Sequence, residues 1–156
     1  MRASSSSIAA FAISSLLVAC GPAGEEKPPS ADAPERIEVL LPDLVDAIQA
    51  KQPVFVMDHV AESFKEERGL DYFGVRGLVE AFAFRDEETG ARLESVTITP
   101  AENGAQRVAA RVSFALGQRL EADAPLPPGA VTYAFDLVFA RNGARWQAIG
   151  GSYRRE

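Results

Sequence analysis

The feature that most constrains the fold of this chain is a strict alternation of apolar and other residues in its last third. Residues 131–139 place an apolar or aromatic side chain at every second position: Val131, Tyr133, Phe135, Leu137 and Phe139. A period of two predicts a β-strand with one buried face. Residues 107–116 alternate in the same way, and the Asn-Gly pairs at 103–104 and 142–143 are typical of hairpin turns. The pattern predicts four antiparallel strands, over 92–100, 107–116, 131–139 and a last segment that carries Trp146, Ala148, Ile149 and Tyr153.

Apolar residues at helical spacing precede the strands in three segments. The three stripes contain, in chain order, Leu41, Leu44, Val45 and Ile48; Val56, Val60 and Phe64; and Val75, Leu78, Val79 and Phe82. This spacing predicts three helices, and Pro42 suits a first helical turn. Helices followed by antiparallel strands make an α+β domain, in which the helices cover one face of the sheet.

Composition limits the domain organisation and the possible partners. A chain of 156 residues, 47% of them hydrophobic, supports one folded domain, which we place at 37–156. One Cys and one His exclude a disulfide framework and ordinary Cys/His zinc sites, and no metal or other cofactor is expected. A formal net charge of −6 argues against a nucleic-acid partner, because phosphate binding needs an excess of basic side chains.

The N-terminal residues have the composition of an export signal followed by a tether. Arg2 precedes an uncharged stretch at 8–19, whose length of about 18 Å as a helix is too short to span a bilayer. We therefore predict a secretory signal peptide at 1–19. Residues 20–36 are rich in Pro, Ala and Glu, which predicts an extended, disordered tether.

The end of the signal peptide resembles the lipobox of bacterial lipoproteins. It reads Leu17-Val18-Ala19-Cys20, followed by Gly21. The resemblance implies that Cys20 is acylated and becomes the mature N-terminus, so that the protein contacts the membrane through its lipid. Gly21 after the cysteine implies the outer membrane, facing the periplasm. The alternatives are an ordinary signal peptide with a chance cysteine, or a buried free thiol.

The folded part resembles nuclear transport factor 2-like domains. Residues 44–64 (LVDAIQAKQPVFVMDHVAESF) are similar to the first helix pair of that family, 72–82 (YFGVRGLVEAF) to its third helix, and 133–149 (YAFDLVFARNGARWQAI) to its closing hairpin. The resemblance implies a cone: a curved sheet wrapped around its helices, with a pocket at the wide end. Members include hydratases, isomerases, cyclases, dehydratases and proteins without catalysis, so the fold does not assign a reaction.

Few residues are candidates for chemistry in such a pocket. Asp58 and His59 are neighbours on the predicted second helix, where their side chains diverge by about 100° and cannot form a dyad. His59 is either a base or a boundary residue hydrogen-bonded to a neighbour. Tyr133 is predicted to lie on the buried face of its strand. Its hydroxyl either contacts a ligand or is hydrogen-bonded at one end of the core. Asp71 and Tyr72 precede the third helix, near the expected mouth of the pocket. They are either ligand contacts or solvated residues of a turn.

The predicted pocket is apolar and short of titratable groups. Gly150 and Gly151 occupy last-strand positions where a catalytic relative could carry polar side chains, and Asp136 is expected to face outward and pair with Arg111. An apolar pocket suits a small hydrophobic ligand. We therefore expect a lipid-anchored, non-enzymatic protein that binds such a ligand or a protein partner. The alternatives are an acid–base enzyme that uses His59 or Asp58 with Tyr133, and a structural homodimer, formed through the outer sheet face, whose pocket is filled.

Overall fold

The computed structural model describes residues 35–156, and within this range it contains three α-helices, one short 3-10 turn and five β-strands. The elements are α1 (Ile37–Gln49), α2 (Pro53–Asp58), β1 (Val60–Glu66), α3 (Tyr72–Ala83), β2 (Thr89–Pro100), β3 (Gln106–Leu116), β4 (Val131–Asn142) and β5 (Arg145–Arg155). The predicted signal peptide, Cys20 with its lipobox, and all of the predicted tether except its last two residues lie outside the described residues.

The five strands form one mixed sheet in the order β1-β5-β4-β3-β2. Strands β2 to β5 pair antiparallel with one another, as the alternation and the hairpin turns predicted. Strand β1 pairs in parallel with β5 and covers its outer edge. The α+β class is therefore confirmed, but the predicted four-stranded antiparallel sheet is corrected to five strands with one parallel pair.

The second predicted helix is also corrected, because its C-terminal half is a strand. Helix α2 ends at Asp58, and the chain continues as β1, which buries Ala61, Phe64 and Glu66. Val56, Val60 and Phe64 are four residues apart, a spacing that fits one face of a helix. The same spacing also fits one face of a strand. The sequence pattern was therefore ambiguous, and pairing with the edge of β5 decides in favour of the strand.

Helix α1 packs against the sheet, and the side chains between them form the largest buried cluster of the core. It begins at Ile37, so Pro42 lies inside the helix rather than in its first turn, where it leaves the Glu38 carbonyl without its usual helical donor. The largest core cluster contains residues of α1, β1, β3, β4 and β5: Ile37, Leu40, Leu41, Phe64, Val108, Ala110, Phe139, Trp146 and Ala148.

Helix α3 and most of β4 are packed less completely. Helix α3 carries the predicted apolar stripe but contributes no fully buried side chain. In β4, Phe139 is fully buried, and the apolar residues before it along the strand are half-buried. These side chains therefore border open space, which is the pocket described next.

Candidate functional site

An apolar pocket of about 630 Å³ lies between the sheet and the three helices. The helices contribute mainly aliphatic side chains to its lining, among them Ile48, Val56, Val75, Leu78 and Val79. This volume is in the range of pockets that enclose small organic ligands. The expectation of an apolar pocket therefore agrees with the geometry.

The strand side of the pocket is aromatic. Phe114 of β3, Tyr133 and Phe135 of β4, and Tyr153 of β5 all line it, and Phe82 of α3 joins them at one end. Neighbouring ring centroids in this group are 5.9–6.3 Å apart. These separations are typical of interacting aromatic side chains. We call these five residues the aromatic wall.

Glu66 is the one carboxylate that lines the pocket in the described part of the chain. It is 5% exposed, because it follows Phe64 on the inward face of β1. Its Oε2 accepts a hydrogen bond from the backbone N–H of Arg68 at 2.7 Å. Its Oε1 lies 3.4 Å from Arg68 Nε but makes no hydrogen bond within residues 35–156. Glu66 therefore carries one hydrogen-bonded oxygen and one buried oxygen whose polar neighbour is the Arg68 guanidinium.

Glu66 was not among the predicted site residues, because its segment was predicted to be helical. Assignment of this segment to a strand would have placed Phe64 and Glu66 on the same face, since side chains alternate between the two faces along a strand. Arg68 is also part of this region: its guanidinium donates to the Tyr153 carbonyl and lies 5.1 Å from the centroid of the Tyr153 ring. The Glu66 carboxylate and the aromatic wall are thus connected through one arginine.

Neither His59 nor Asp58 lines the pocket. His59 follows the end of α2 and is 4% exposed; its Nδ1 is 2.8 Å from the Phe55 carbonyl and its Nε2 is 2.9 Å from Glu35 Oε1. Asp58 Oδ2 lies 3.3 Å from Arg145 on an exposed surface. His59 is thus buried, and its two ring nitrogens contact the Phe55 carbonyl and Glu35 outside the pocket lining.

Of the three remaining predicted site residues, one lines the pocket, one caps a helix and one does neither. Tyr133 lines the pocket as part of the aromatic wall. Asp71 is the N-cap of α3 and accepts a hydrogen bond from the Gly74 backbone N–H at 2.9 Å. Tyr72 packs edge-on against Phe73 and does not line the pocket. Asp71 thus has a structural role that its sequence position, directly before a helix, explains.

The outer face of the sheet carries two arginine–carboxylate pairs. Asp136 pairs with Arg107 at 2.6 Å, and Glu156 pairs with Arg111 at 2.5 Å. The predicted pairing of Asp136 with Arg111 is therefore wrong: both arginines are diagonal neighbours of Asp136 in the register, and Glu156 engages Arg111. Hydrogen bonds from the arginines lower the pKa of each carboxyl below its usual value. Such exposed pairs contribute little to stability.

Residues 35–156 contain no helix long and apolar enough to cross a membrane. They also contain no group of three or more His, Cys, Asp or Glu side chains placed to hold a metal ion.

Comparison with solved structures identifies the fold. A protein from Novosphingobium aromaticivorans provisionally named a scytalone dehydratase matches with a TM-score of 0.62 and 12% identity over 77% of this chain and 81% of its own. An NTF2-like protein of unknown function from Pseudomonas putida matches with a TM-score of 0.58 and 12% identity over 75% and 82%. A hexachlorocyclohexane dehydrochlorinase (LinA) matches with a TM-score of 0.57 and 11% identity over 77% and 82%.

The chain therefore has the nuclear transport factor 2-like fold that its sequence resembled. No protein-family model matches the chain, and no curated protein is significantly similar to it in sequence. At these identities the likeness concerns the fold alone. Function must be argued from the pocket itself.

Proposed function

We propose that this protein is a lipid-anchored envelope protein whose pocket binds a small apolar ligand without transforming it. The observation that carries the binding function is the pocket of about 630 Å³ with its aliphatic and aromatic lining. Transfer of apolar surface from water into such a space is favourable by roughly 25 cal/mol per Å². Incomplete burial of α3 and β4 supports the same conclusion, because residues 35–156 cover the apolar side chains of these two elements only in part.

Filling the pocket should abolish binding of an apolar ligand. Val79 lines the pocket from α3, and Val79→Trp would place an indole in the space that the ligand needs. We expect the variant to bind the neutral fluorescent probe N-phenyl-1-naphthylamine at least about tenfold more weakly than the wild type. Fluorescence titration measures the affinity.

Val39→Trp is the matched control, because Val39 is 51% exposed on α1 and does not line the pocket. It adds the same side chain to the surface and should leave probe affinity unchanged. Equal binding by Val79→Trp and the wild type would show that the probe, and by extension the ligand, does not use this pocket.

The anchor is proposed from the lipobox at Leu17-Val18-Ala19-Cys20. Two or three acyl chains on Cys20 would hold the protein stably on a bilayer, whereas one chain anchors only marginally. Radiolabelled palmitate should label the wild type, and Cys20→Ala should remove the label and release the protein from the membrane fraction. Unchanged labelling of Cys20→Ala would refute the assignment. Gly21 supports placement on the outer membrane, facing the periplasm.

A second candidate function is general acid–base catalysis by Glu66. The specific observation that favours it is that a buried carboxylate, one oxygen of which makes no hydrogen bond within residues 35–156, belongs to a residue of the pocket lining. Two structural neighbours bear the names of a dehydratase and a dehydrochlorinase. Binding alone remains our preferred function because no histidine or second carboxylate accompanies Glu66 in the described lining. Turnover that disappears in Glu66→Gln would instead establish the enzyme.

The proposed protein partner is a second copy of this chain, bound through the outer sheet face. Small residues there, Ala109 and Ala134, lie between the Arg107–Asp136 and Arg111–Glu156 pairs, which allows close approach of two sheets. Native mass spectrometry of protein purified without its acyl group would report both the dimer mass and any retained ligand.

A further inference from the structure

We infer that the ligand of the pocket is an anionic amphiphile, such as a fatty acid, whose carboxylate pairs with Lys51 at the pocket mouth while its apolar part lies inside. This inference rests on the proposed ligand-binding function and specifies the chemical class of the ligand. Three features of Lys51 carry it: the position of its side chain, its lack of an acidic partner within residues 35–156, and its backbone conformation.

Lys51 is the one basic residue in the described lining of the pocket, and it is half-buried. Its ammonium donates a hydrogen bond to the backbone carbonyl of Arg85 in an exposed contact. Ala83, two residues before Arg85, also lines the pocket, as does the exposed Gln52 next to Lys51. The ammonium therefore lies near the point where the pocket lining meets the solvent, which we call the pocket mouth.

The Lys51 ammonium has capacity for a ligand. It carries three N–H donors, and the Arg85 carbonyl accepts from one of them. No carboxylate of residues 35–156 forms an ion pair with it. A ligand carboxylate at the mouth would thus gain a charge-assisted hydrogen bond without displacing an acidic side chain of the described part of the chain.

Arg85 adds a second positive charge at the mouth. Its guanidinium lies 5.6 Å from the ring centroid of Phe82, which lines the pocket. The three acidic residues that follow it, at 86–88, are exposed and pair with neither Arg85 nor Lys51 in the described structure. The two basic side chains therefore favour an anion at this end of the pocket.

The other charge in the lining is already offset. Glu66 is buried, its Oε1 is 3.4 Å from Arg68 Nε, and its Oε2 accepts from the Arg68 backbone N–H. Because a charged group is costly to bury without a partner, the ligand carboxylate stays at the mouth beside Lys51, and only its apolar part enters the pocket. The lining thus matches a molecule with one anionic end.

The backbone at Lys51 gives independent support. Lys51 has φ +56° and directly follows Ala50, the C-cap of α1. Glycine or asparagine is favoured at such a position, because a side chain is strained in the left-handed region. Strain of this kind is characteristic of ligand sites. The backbone conformation therefore does not account for a lysine here, whereas the position of its side chain in the pocket lining does.

Calorimetric titration of the full chain carrying Cys20→Ala tests the inference with three compounds of equal chain length. They are decanoate, 1-decanol and decylammonium, which carry an anionic, a neutral and a cationic end. At low ionic strength we expect wild-type side chains to bind decanoate at least about fivefold more tightly than either of the others. Added salt should reduce this preference, because it screens an accessible ion pair.

Lys51→Gln keeps a polar side chain but removes the charge. In this variant the preference for decanoate over 1-decanol should fall below about twofold, with little change in the affinity for 1-decanol. Lys51→Arg should retain the preference. Lys65→Gln is the matched control, since Lys65 is exposed on β1 and does not line the pocket, and it should bind all three compounds as the wild type does.

Thermal melting of each variant verifies that it is folded. Equal wild-type affinities for decanoate and 1-decanol, tighter binding of decylammonium, or a decanoate preference that persists in Lys51→Gln would overturn the inference and leave the proposed binding function intact. Absence of binding by all three compounds and by N-phenyl-1-naphthylamine would instead remove the proposed function itself.

Discussion

Gly151→Ala should lower the free energy of unfolding by about 3 kcal/mol or more, the largest effect that we expect from a single added methyl group. Gly151 has φ +146°, a conformation that side-chain-bearing residues rarely adopt, and an added Cβ would lie 2.2 Å from the Asp136 carbonyl oxygen. Relief by backbone movement is costly, since Gly151 pairs with Leu137 of β4 on one side and Glu66 of β1 on the other. Urea denaturation followed by the fluorescence of Trp146, the single tryptophan, measures the change.

Gly77→Ala is the control for the loss of a glycine. Gly77 lies inside α3, and a Cβ there meets nothing within 4 Å. Because alanine has the higher helix propensity, this variant should be more stable than the wild type by up to about 1 kcal/mol. A Gly151→Ala protein as stable as the wild type would show that β1, β4 and β5 are not held as closely together as the structure has them.

Glu35→Ala should lower the free energy of unfolding by about 3 kcal/mol. Glu35 Oε1 is 2.9 Å from the buried His59 Nε2, and its Oε2 accepts from the Trp146 backbone N–H at 2.7 Å. Removal of the carboxylate leaves a buried imidazole nitrogen and a buried N–H without partners. Glu35 is itself a quarter exposed, so water compensates part of the loss. Chemical denaturation, again followed by Trp146 fluorescence, provides the measurement.

Glu38→Ala serves as the matched control for removal of a nearby acidic residue. The Glu38 side chain is 59% exposed, and its nearest cation, Arg36, is 3.8 Å away. Its contribution comes from the first turn of α1 and should be below about 1 kcal/mol. If the two variants lose equal stability, the contacts of Glu35 with His59 and Trp146 contribute nothing specific.

Glu35 lies within the predicted tether, whose composition is Pro, Ala and charged residues, yet it contacts the folded part of the chain. In the structure its backbone N–H donates to the Ala144 carbonyl, and its own carbonyl accepts from the Trp146 indole. These partners are more than 100 residues away along the chain. Local composition carries no signal for contacts at such separation.

Local patterns predicted most of the fold. The alternation in 107–116 and 131–139 and the Asn-Gly turns indicated β3, β4 and β5 with their antiparallel pairing, because both signals act between neighbours in sequence. The helical stripes indicated α1 and α3 for the same reason. The apolar nature of the pocket followed from these assignments, since the stripes and the inward strand positions are its walls.

The identity of the one carboxylate in the described pocket lining was decided only by the tertiary structure. A spacing of four residues fits both a helix and a strand, so the sequence around Phe64 left the local conformation open. Pairing with the free edge of β5, close to Gly150 and Gly151, makes the segment a strand and directs Glu66 inward. The physical reason is that edge pairing depends on backbone groups about 85 residues further along the chain. Most helices and strands are thus a local property of this sequence, whereas strand β1, and with it the one carboxylate of the described pocket lining, is a product of long-range pairing.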